Sequence, residues 1–233
     1  TFPASFYEDI DNDGIKDLFV TPNIDLQSDN AESVWFYKNY GTTINPVFQL
    51  IKKDMFQENM IEVGIQSYPI LTDYDGDGLV DLIISNFGYY TPSSSSSYQT
   101  KISLYKNTGT ASSPSFLRVT DNFLNLSALG FTTVAYPNFA DIDNDGDLDM
   151  ILGDYDGKLH LFTNSSGNFS TLTLSLTTPQ LKDDNNQVID VGYGAKPILY
   201  DINGDGDFDL IIGEENGNLN YYENVGGVSN PMF

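Results

Sequence analysis

The sequence predicts an all-β fold of repeated, four-stranded antiparallel units, and three observations carry that prediction. A nine-residue acidic segment recurs four times, starting at residues 9, 73, 141 and 201. Each copy runs directly into a short apolar stretch: Leu18-Phe19-Val20, Leu82-Ile83-Ile84, Met150-Ile151-Leu152 and Leu210-Ile211-Ile212. No segment of any length shows the 3.6-residue spacing of an amphipathic helix. Copies separated by 60 to 68 residues mark a repeat architecture in which one supersecondary unit is copied and stacked.

Within each period four short apolar segments follow one another. The first leads into the acidic segment: Ser67-Tyr68-Pro69-Ile70-Leu71, Ala135-Tyr136-Pro137-Asn138-Phe139 and Ala195-Lys196-Pro197-Ile198-Leu199. Proline donates no hydrogen bond to a ladder, so these strands belong at a sheet edge. Ser5 takes the proline's place in the first copy, and the argument does not extend to it. The second segment is the apolar run itself, continuous enough to be buried on both faces. The third alternates, as in Val34-Trp35-Phe36-Tyr37-Lys38-Asn39 and Ile102-Ser103-Leu104-Tyr105-Lys106-Asn107, and polar, often Gly-containing turns follow it. The fourth begins Asn45-Pro46-Val47-Phe48 and Ser113-Pro114-Ser115-Phe116, is weaker at Asn168-Phe169-Ser170, and reaches only Asn230-Pro231-Met232-Phe233 in the last copy.

Four antiparallel strands per unit, none able to cover both its faces alone, describe the blades of a β-propeller. The edge strand would line a central channel, the apolar run would lie between neighbouring blades, and the third strand would pack outside it. Residues 1–233 are read as one propeller region with repeats at roughly 1–60, 61–128, 129–190 and 191–233, the last truncated.

The acidic segments have the chemistry of calcium loops. They place oxygen side chains at positions 1, 3, 5 and 9: Asp9, Asp11, Asp13 and Asp17; Asp73, Asp75, Asp77 and Asp81; Asp141, Asp143, Asp145 and Asp149; Asp201, Asn203, Asp205 and Asp209. Gly stands at position 6 in all four, where a chain wrapping an ion must turn sharply. Position 7 would contribute only its carbonyl, which suits the mixture Ile15, Leu79, Asp147 and Asp207; the side chains of Asp147 and Asp207 are not expected as ligands. Without a cation, four carboxylates in nine residues would repel at a cost on the order of kcal/mol per pair. An EF-hand would need Glu at position 12, where Val20, Ile84, Leu152 and Ile212 stand. The loops therefore join strands, and about four Ca²⁺ ions are expected, one per loop.

The four Asp-x-Asp/Asn-x-Asp-Gly-x-x-Asp loops, together with the Tyr-Lys-Asn-Thr-Gly type of third strand and its following Asn-Pro-x-Phe, resemble the FG-GAP/VCBS family of calcium-loop propeller repeats. That family includes integrin alpha-subunit heads and many secreted bacterial proteins, and segments such as Tyr105-Lys106-Asn107-Thr108-Gly109 are similar to those of bacterial surface proteins. Members of that family commonly have seven blades and four repeats are visible here, so the resemblance implies either part of a larger ring of about seven blades, which the truncated last repeat favours, or an unusually small closed ring.

Composition narrows the function. Of 33 acidic residues 17 lie in the loops, and four bound Ca²⁺ ions would bring the formal charge from −23 to −15. Such an excess argues against nucleic acid or an anionic membrane as partner. There is no Cys, hence no disulfide, thiolate metal site or cysteine nucleophile. No apolar stretch is long enough to cross a bilayer, and the chain reads as part of a longer one. Loops lacking the position-12 Glu suit the roughly 10⁻⁴ to 10⁻³ M affinities of extracellular modules, so a secreted or cell-surface location is expected.

The leading functional expectation is a non-catalytic, calcium-stabilised adhesion or protein-interaction module with a protein or glycan ligand. The alternatives are a carbohydrate-binding lectin-like propeller and a polysaccharide-active enzyme domain. No nucleophile elbow, phosphate loop or zinc spacing appears, and no catalytic residue is assigned. His160, the only histidine, and Trp35, the only tryptophan, are expected to be structural. Two inserts, Gly88 to Tyr98 and Gln180 to Gln187, are candidate recognition loops whose plainer reading is a solvated hairpin tip. Asn125, Asn164 and Asn168 head glycosylation sequons.

Overall fold

A computed structural model describes residues 4–21, 33–56, 60–90, 98–166 and 172–233. The chain is all-β, and the strands of its four main sheets pair antiparallel. The first sheet comprises β1 (Ala4–Glu8), β2 (Asp17–Thr21), β3 (Trp35–Asn39) and β4 (Phe48–Lys52), in that order. The second holds β5 (Tyr68–Thr72), β6 (Asp81–Ser85), β9 (Ile102–Asn107) and β10 (Phe116–Thr120), while β7 (Tyr89–Tyr90) and β8 (Tyr98–Gln99) form a small ladder of their own in the insert. The third is β11 (Ala135–Ala140), β12 (Asp149–Asp154), β13 (Leu159–Asn164) and β14 (Leu174–Thr178). The fourth has three strands, β15 (Lys196–Tyr200), β16 (Asp209–Gly213) and β17 (Leu219–Tyr222).

The strand order follows the proline argument. β5, β11 and β15, which carry Pro69, Pro137 and Pro197, are edge strands, and so is β1, which lacks proline. Contacts divide the chain into two compact units: one reaches Gly64 and is built on the first sheet, and the other begins at Ile65 and holds the second, third and fourth sheets.

In the second unit the apolar run of the third sheet, Met150-Ile151-Leu152, is covered on both faces. One core cluster joins Ile83, Ile102 and Leu104 of the second sheet to Met150, Leu152 and Phe162 of the third. The other joins Ile151 and Leu159 of the third sheet to Leu199, Leu210 and Ile212 of the fourth. Successive residues of β12 therefore point into different interfaces, Met150 and Leu152 one way and Ile151 the other, as the pleat of a strand requires. All three are fully buried. At about 1.5–3 kcal/mol for each buried aliphatic side chain, this doubly covered strand is where the sheets gain most from stacking.

Two features depart from the sequence reading. A short 3-10 helix, Phe123–Leu129, seats Leu126 in the interface between the second and third sheets, and Gly130 ends it at φ 92°. The insert at Gln180–Gln187 is a folded turn: Leu181 and Ile189 are buried, the Ile189 amide donates to the Leu181 carbonyl and the Leu181 amide to that of Leu159, and Asp183 accepts the amides of Asn185 and Gln187. The tip of the other insert, 91–97, lies outside the described residues, as does Asn168. No helix among the described residues is long and apolar enough to cross a membrane.

Candidate metal centre

Each acidic segment connects the first strand of a sheet to its second. The backbone is left-handed at position 6 in every copy (Gly14, Gly78, Gly146 and Gly206, φ 86–97°). It is left-handed at position 4 as well: Asn12 at 62°, Gly76 at 70°, Asn144 at 59° and Gly204 at 78°. Asn and Gly tolerate that region at least cost, which accounts for their alternation there. Two such residues curl the chain so that the position-1 carboxylate accepts the amides of positions 5 and 6, as Asp73 does from Asp77 at 3.1 Å and Gly78 at 2.8 Å. The same pair recurs at Asp9, Asp141 and Asp201. Position 5 in turn accepts the amide of position 7, from Asp13 to Ile15 through Asp205 to Asp207.

Position 9 couples the loop to the sheet. Asp17, Asp81, Asp149 and Asp209 are essentially fully buried, and each accepts the backbone amide of an asparagine at or just past the end of the third strand: Asn39, Asn107, Asn164 and Asn224, at 2.7–2.9 Å. Asp81, Asp149 and Asp209 also accept the amide of loop position 2. The position-9 acid thus has one oxygen in the sheet, and its other oxygen faces the loop.

The carboxylates converge. Oxygens of Asp9, Asp11 and Asp13 lie within 4.8 Å of one another, as do those of Asp73, Asp75 and Asp81, and those of Asp141, Asp143 and Asp149. Burial pushes the Asp149 carboxyl up to about 6, against the pull of the Asn164 and Ile142 amides, with Asp143 and Asp145 adding repulsion. Burial likewise raises Asp81 and Asp143, again with help from neighbouring acids. A donor set made only of hard oxygens, crowded and desolvated, fits Ca²⁺ or Mg²⁺ rather than a softer metal.

A second observation supports the fit. Buried carboxylate oxygens of Asp17 and Asp75, Oδ2 and Oδ1 respectively, have no hydrogen-bond partner, nor does Asp207 Oδ1. A buried acceptor left bare costs about 1–3 kcal/mol, more when charged, and a cation would satisfy it.

The four loops differ in what stands over them. Lys38 pairs with Asp11 and Asp13, and Lys106 with Asp75 and Asp77, so an internal ammonium meets positions 3 and 5 in the first two loops. The corresponding residues over the third and fourth loops are Thr163 and Glu223. In the fourth, Asn203 bridges Asp205 and Glu223 through its amide, and three carboxylates do not close together as in the others.

A family model described as FG-GAP-like repeat matches residues 9–84 and 73–152, in register with successive loops and together more than half the chain. The chain belongs to the FG-GAP-like repeat family. No curated protein matches it.

Of the loop positions named from sequence in this FG-GAP chain, the structure brings together the carboxylates of Asp9, Asp11 and Asp13, of Asp73, Asp75 and Asp81, and of Asp141, Asp143 and Asp149. The side chains of Asp147 and Asp207, expected to be bystanders, are buried beside the loops, and Asp147 Oδ2 accepts Ser166 Oγ at 3.2 Å. The asparagine at or just past the end of each third strand, noted only as part of a motif, organises the loop from behind. Asn107 Oδ1 accepts the amides of Gly109 and Ser115, while its Nδ2 donates to the Val80 carbonyl at loop position 8. Asn39, Asn164 and Asn224 accept equivalent pairs of amides. Its recurrence in all four repeats was the available signal. Asn164 is consequently buried and occupied, which removes it as a sequon.

His160 is structural, as expected: buried, hydrogen-bonded to Asp154 at 2.8 Å, and met edge-on by Phe131. Trp35 lies on β3 with the Lys53 ammonium 5.3 Å from its ring centre.

Proposed function

We propose that this FG-GAP chain is a non-catalytic, calcium-stabilised adhesion or protein-interaction module of a secreted or cell-surface protein, its sheets being blades of a β-propeller. The carrying observation is the second loop, where Asp73, Asp75 and Asp81 converge and Asp75 Oδ1 is buried without a hydrogen-bond partner. Positions 1, 3 and 5 would supply side-chain oxygens, position 7 its carbonyl and position 9 its loop-facing oxygen. A bound Ca²⁺ supplies the positive charge that lets these acids crowd at the hairpin between the first two strands.

An ion that binds the folded loop and not the unfolded chain stabilises the fold. At ten times its Kd, each filled site adds about 1.4 kcal/mol. Melting in millimolar Ca²⁺ against EDTA tests the reading. The expected result is a cooperative transition that moves up with calcium concentration, and coincident melts would sink it.

A further inference from the structure

On the side of the second unit away from the acidic loops, the starts of β5, β11 and β15 border a cleft of about 490 Å³. Its walls come from equivalent repeat positions. Tyr68, Tyr136 and Lys196 each directly precede the edge-strand proline. Gln66, Val134 and Gly194 stand two residues before them, and Phe87, Tyr155 and Glu215 stand two residues after Ser85, Gly153 and Gly213, the partners of Tyr68, Tyr136 and Lys196 on the second strands.

Where a repeat position serves the fold, this chain repeats itself: Asp at loop positions 1 and 9, Pro69, Pro137 and Pro197, Ile83, Ile151 and Ile211. At the cleft the same positions diverge in chemistry, to Tyr, Tyr, Lys and to Phe, Tyr, Glu. The backbone is also unusual there. Gln66, Val134 and Gly194 all have positive φ, at 53°, 26° and 72°. A β-branched valine in that region is strained, and such strain collects at binding sites.

We infer that this cleft binds a neutral saccharide ring. The inference deepens the interaction-module reading and rests on it only in assuming that the site serves recognition. Tyr68 and Tyr136 meet edge to face at 5.5 Å, and the Lys196 ammonium lies 5.1 Å from the Tyr136 ring centre. Tyr155, beside Tyr193 at 5.4 Å, is 40 % exposed. The cleft therefore offers aromatic surface, a pure donor in Lys196, a pure acceptor in Glu215 and both in the Gln66 amide. An anionic ligand drawn by Lys196 would meet Glu215 and a chain of net charge −23. A cationic ligand drawn by Glu215 would meet Lys196, already seated against the aromatic wall. A sugar ring satisfies all three groups, with a C–H face for tyrosine and hydroxyls that both donate and accept. The volume lies in the range of small-ligand sites.

The test is a titration of ¹⁵N-labelled, calcium-loaded chain with neutral disaccharides built from glucose, galactose, mannose and N-acetylhexosamines, followed by amide shifts. Saturable shifts at Tyr68, Tyr136 and Lys196 are expected with at least one of them. Tyr136→Ala and Lys196→Met should each weaken that binding about tenfold, whereas Tyr221→Ala on the fourth sheet should not. Tyr155→Ala, at an exposed turn, serves equally should Tyr136→Ala fail to fold. No saturable shift from the whole panel, or binding that both cleft variants leave intact, overturns the inference. The calcium melt is independent: sugar binding by a chain indifferent to calcium removes the module reading alone, and a calcium-stabilised chain that ignores the panel removes the cleft alone.

Discussion

Gly153 and Gly213 occupy the same place in two repeats, opposite Tyr136 on β12 and opposite Lys196 on β16, yet only the first is pressed by a neighbouring sheet. A Cβ at Gly153 would sit 2.0 Å from the Ala195 carbonyl oxygen, 2.8 Å from its carbon and 2.8 Å from Pro197 Cδ. None of these is the flexible end of a side chain, so the third and fourth sheets would have to separate by about 1 Å or more to reach ordinary contact. Overpacking of that kind costs about 1–3 kcal/mol. The displacement also stretches the bonds from the Ala195 amide to the Asp154 carbonyl and from the Leu199 amide to Asn138, both 3.1 Å and worth about 1 kcal/mol each. Gly153→Ala should therefore cost about 3–4 kcal/mol and lower the melting temperature by on the order of 10 °C for a chain of this size. At Gly213 the nearest atom to an added Cβ is Leu219 Cδ2 at 3.7 Å, so Gly213→Ala should be neutral or stabilise by about 0.5 kcal/mol. Thermal and urea melts of the two variants in calcium make the comparison. Equal shifts, or an unchanged Gly153→Ala, would show that the third and fourth sheets do not stack as described.

Further expectations follow from the loops and turns. Asn107→Ala strips two amides and the Val80 carbonyl of their partner and should cost about 2–3 kcal/mol in chemical denaturation, while Asn107→Asp, which keeps both acceptor contacts, should cost less. Asn144→Gly should leave stability nearly unchanged, whereas Asn144→Val, forced to φ 59°, should lose about 1–2 kcal/mol in the same assay. Lys106→Met should tighten calcium binding at the second loop several-fold by isothermal titration, because the ammonium competes for Asp75 and Asp77. Burial tends to raise the Asp154 carboxyl, but the His160 hydrogen bond and the Lys158 amide outweigh it and hold the acid below its ordinary range. A depressed acid contributes its full stability above its unfolded pKa near 4 and loses it as pH falls further, through the lower pKa of the folded state. Asp154→Asn should thus cost about 1–2 kcal/mol at pH 7, and the gap to wild type should close in melts below pH 4.

The parts of the fold legible in the sequence are those where one residue type has one physical use. A proline four residues before a loop, as in the last three copies, could only sit at an edge, and β5, β11 and β15 do. A run such as Met150-Ile151-Leu152 with no polar alternate had to be covered twice, and it is. Asparagine was harder to read because it serves as turn former, left-handed residue and hydrogen-bond hub alike. Asn144 at loop position 4 and Asn107 behind the loop therefore carried no separate role in the sequence reading beyond the motifs that contain them. The 3-10 helix escaped because Phe123, Leu126 and Leu129 span too little chain to set a period. The cleft was invisible for another reason: its walls lie some 60 residues apart in the sequence, and only the stacking of sheets brings them together.

Repetition within one chain supplies a comparison that a single-copy fold lacks. Three consecutive sheets impose the same backbone demands at the same positions, so a difference between copies marks a place where the fold leaves the choice open. The loops show such freedom at position 3 and at the residue above, where Asp75 with Lys106 gives way to Asp143 with Thr163 and to Asn203 with Glu223. Electrostatics makes that variation consequential: an internal ammonium partly neutralises the first two loops, while the third must draw its counter-charge from solution. The third loop, with Asp149 raised to about 6 by burial and Thr163 where the first two loops have lysine, should therefore respond most to calcium, and the two interfaces that β12 faces should tighten first in a calcium titration. Amide exchange along β12 during a calcium titration reports that order directly, and protection appearing first in β6 would contradict it.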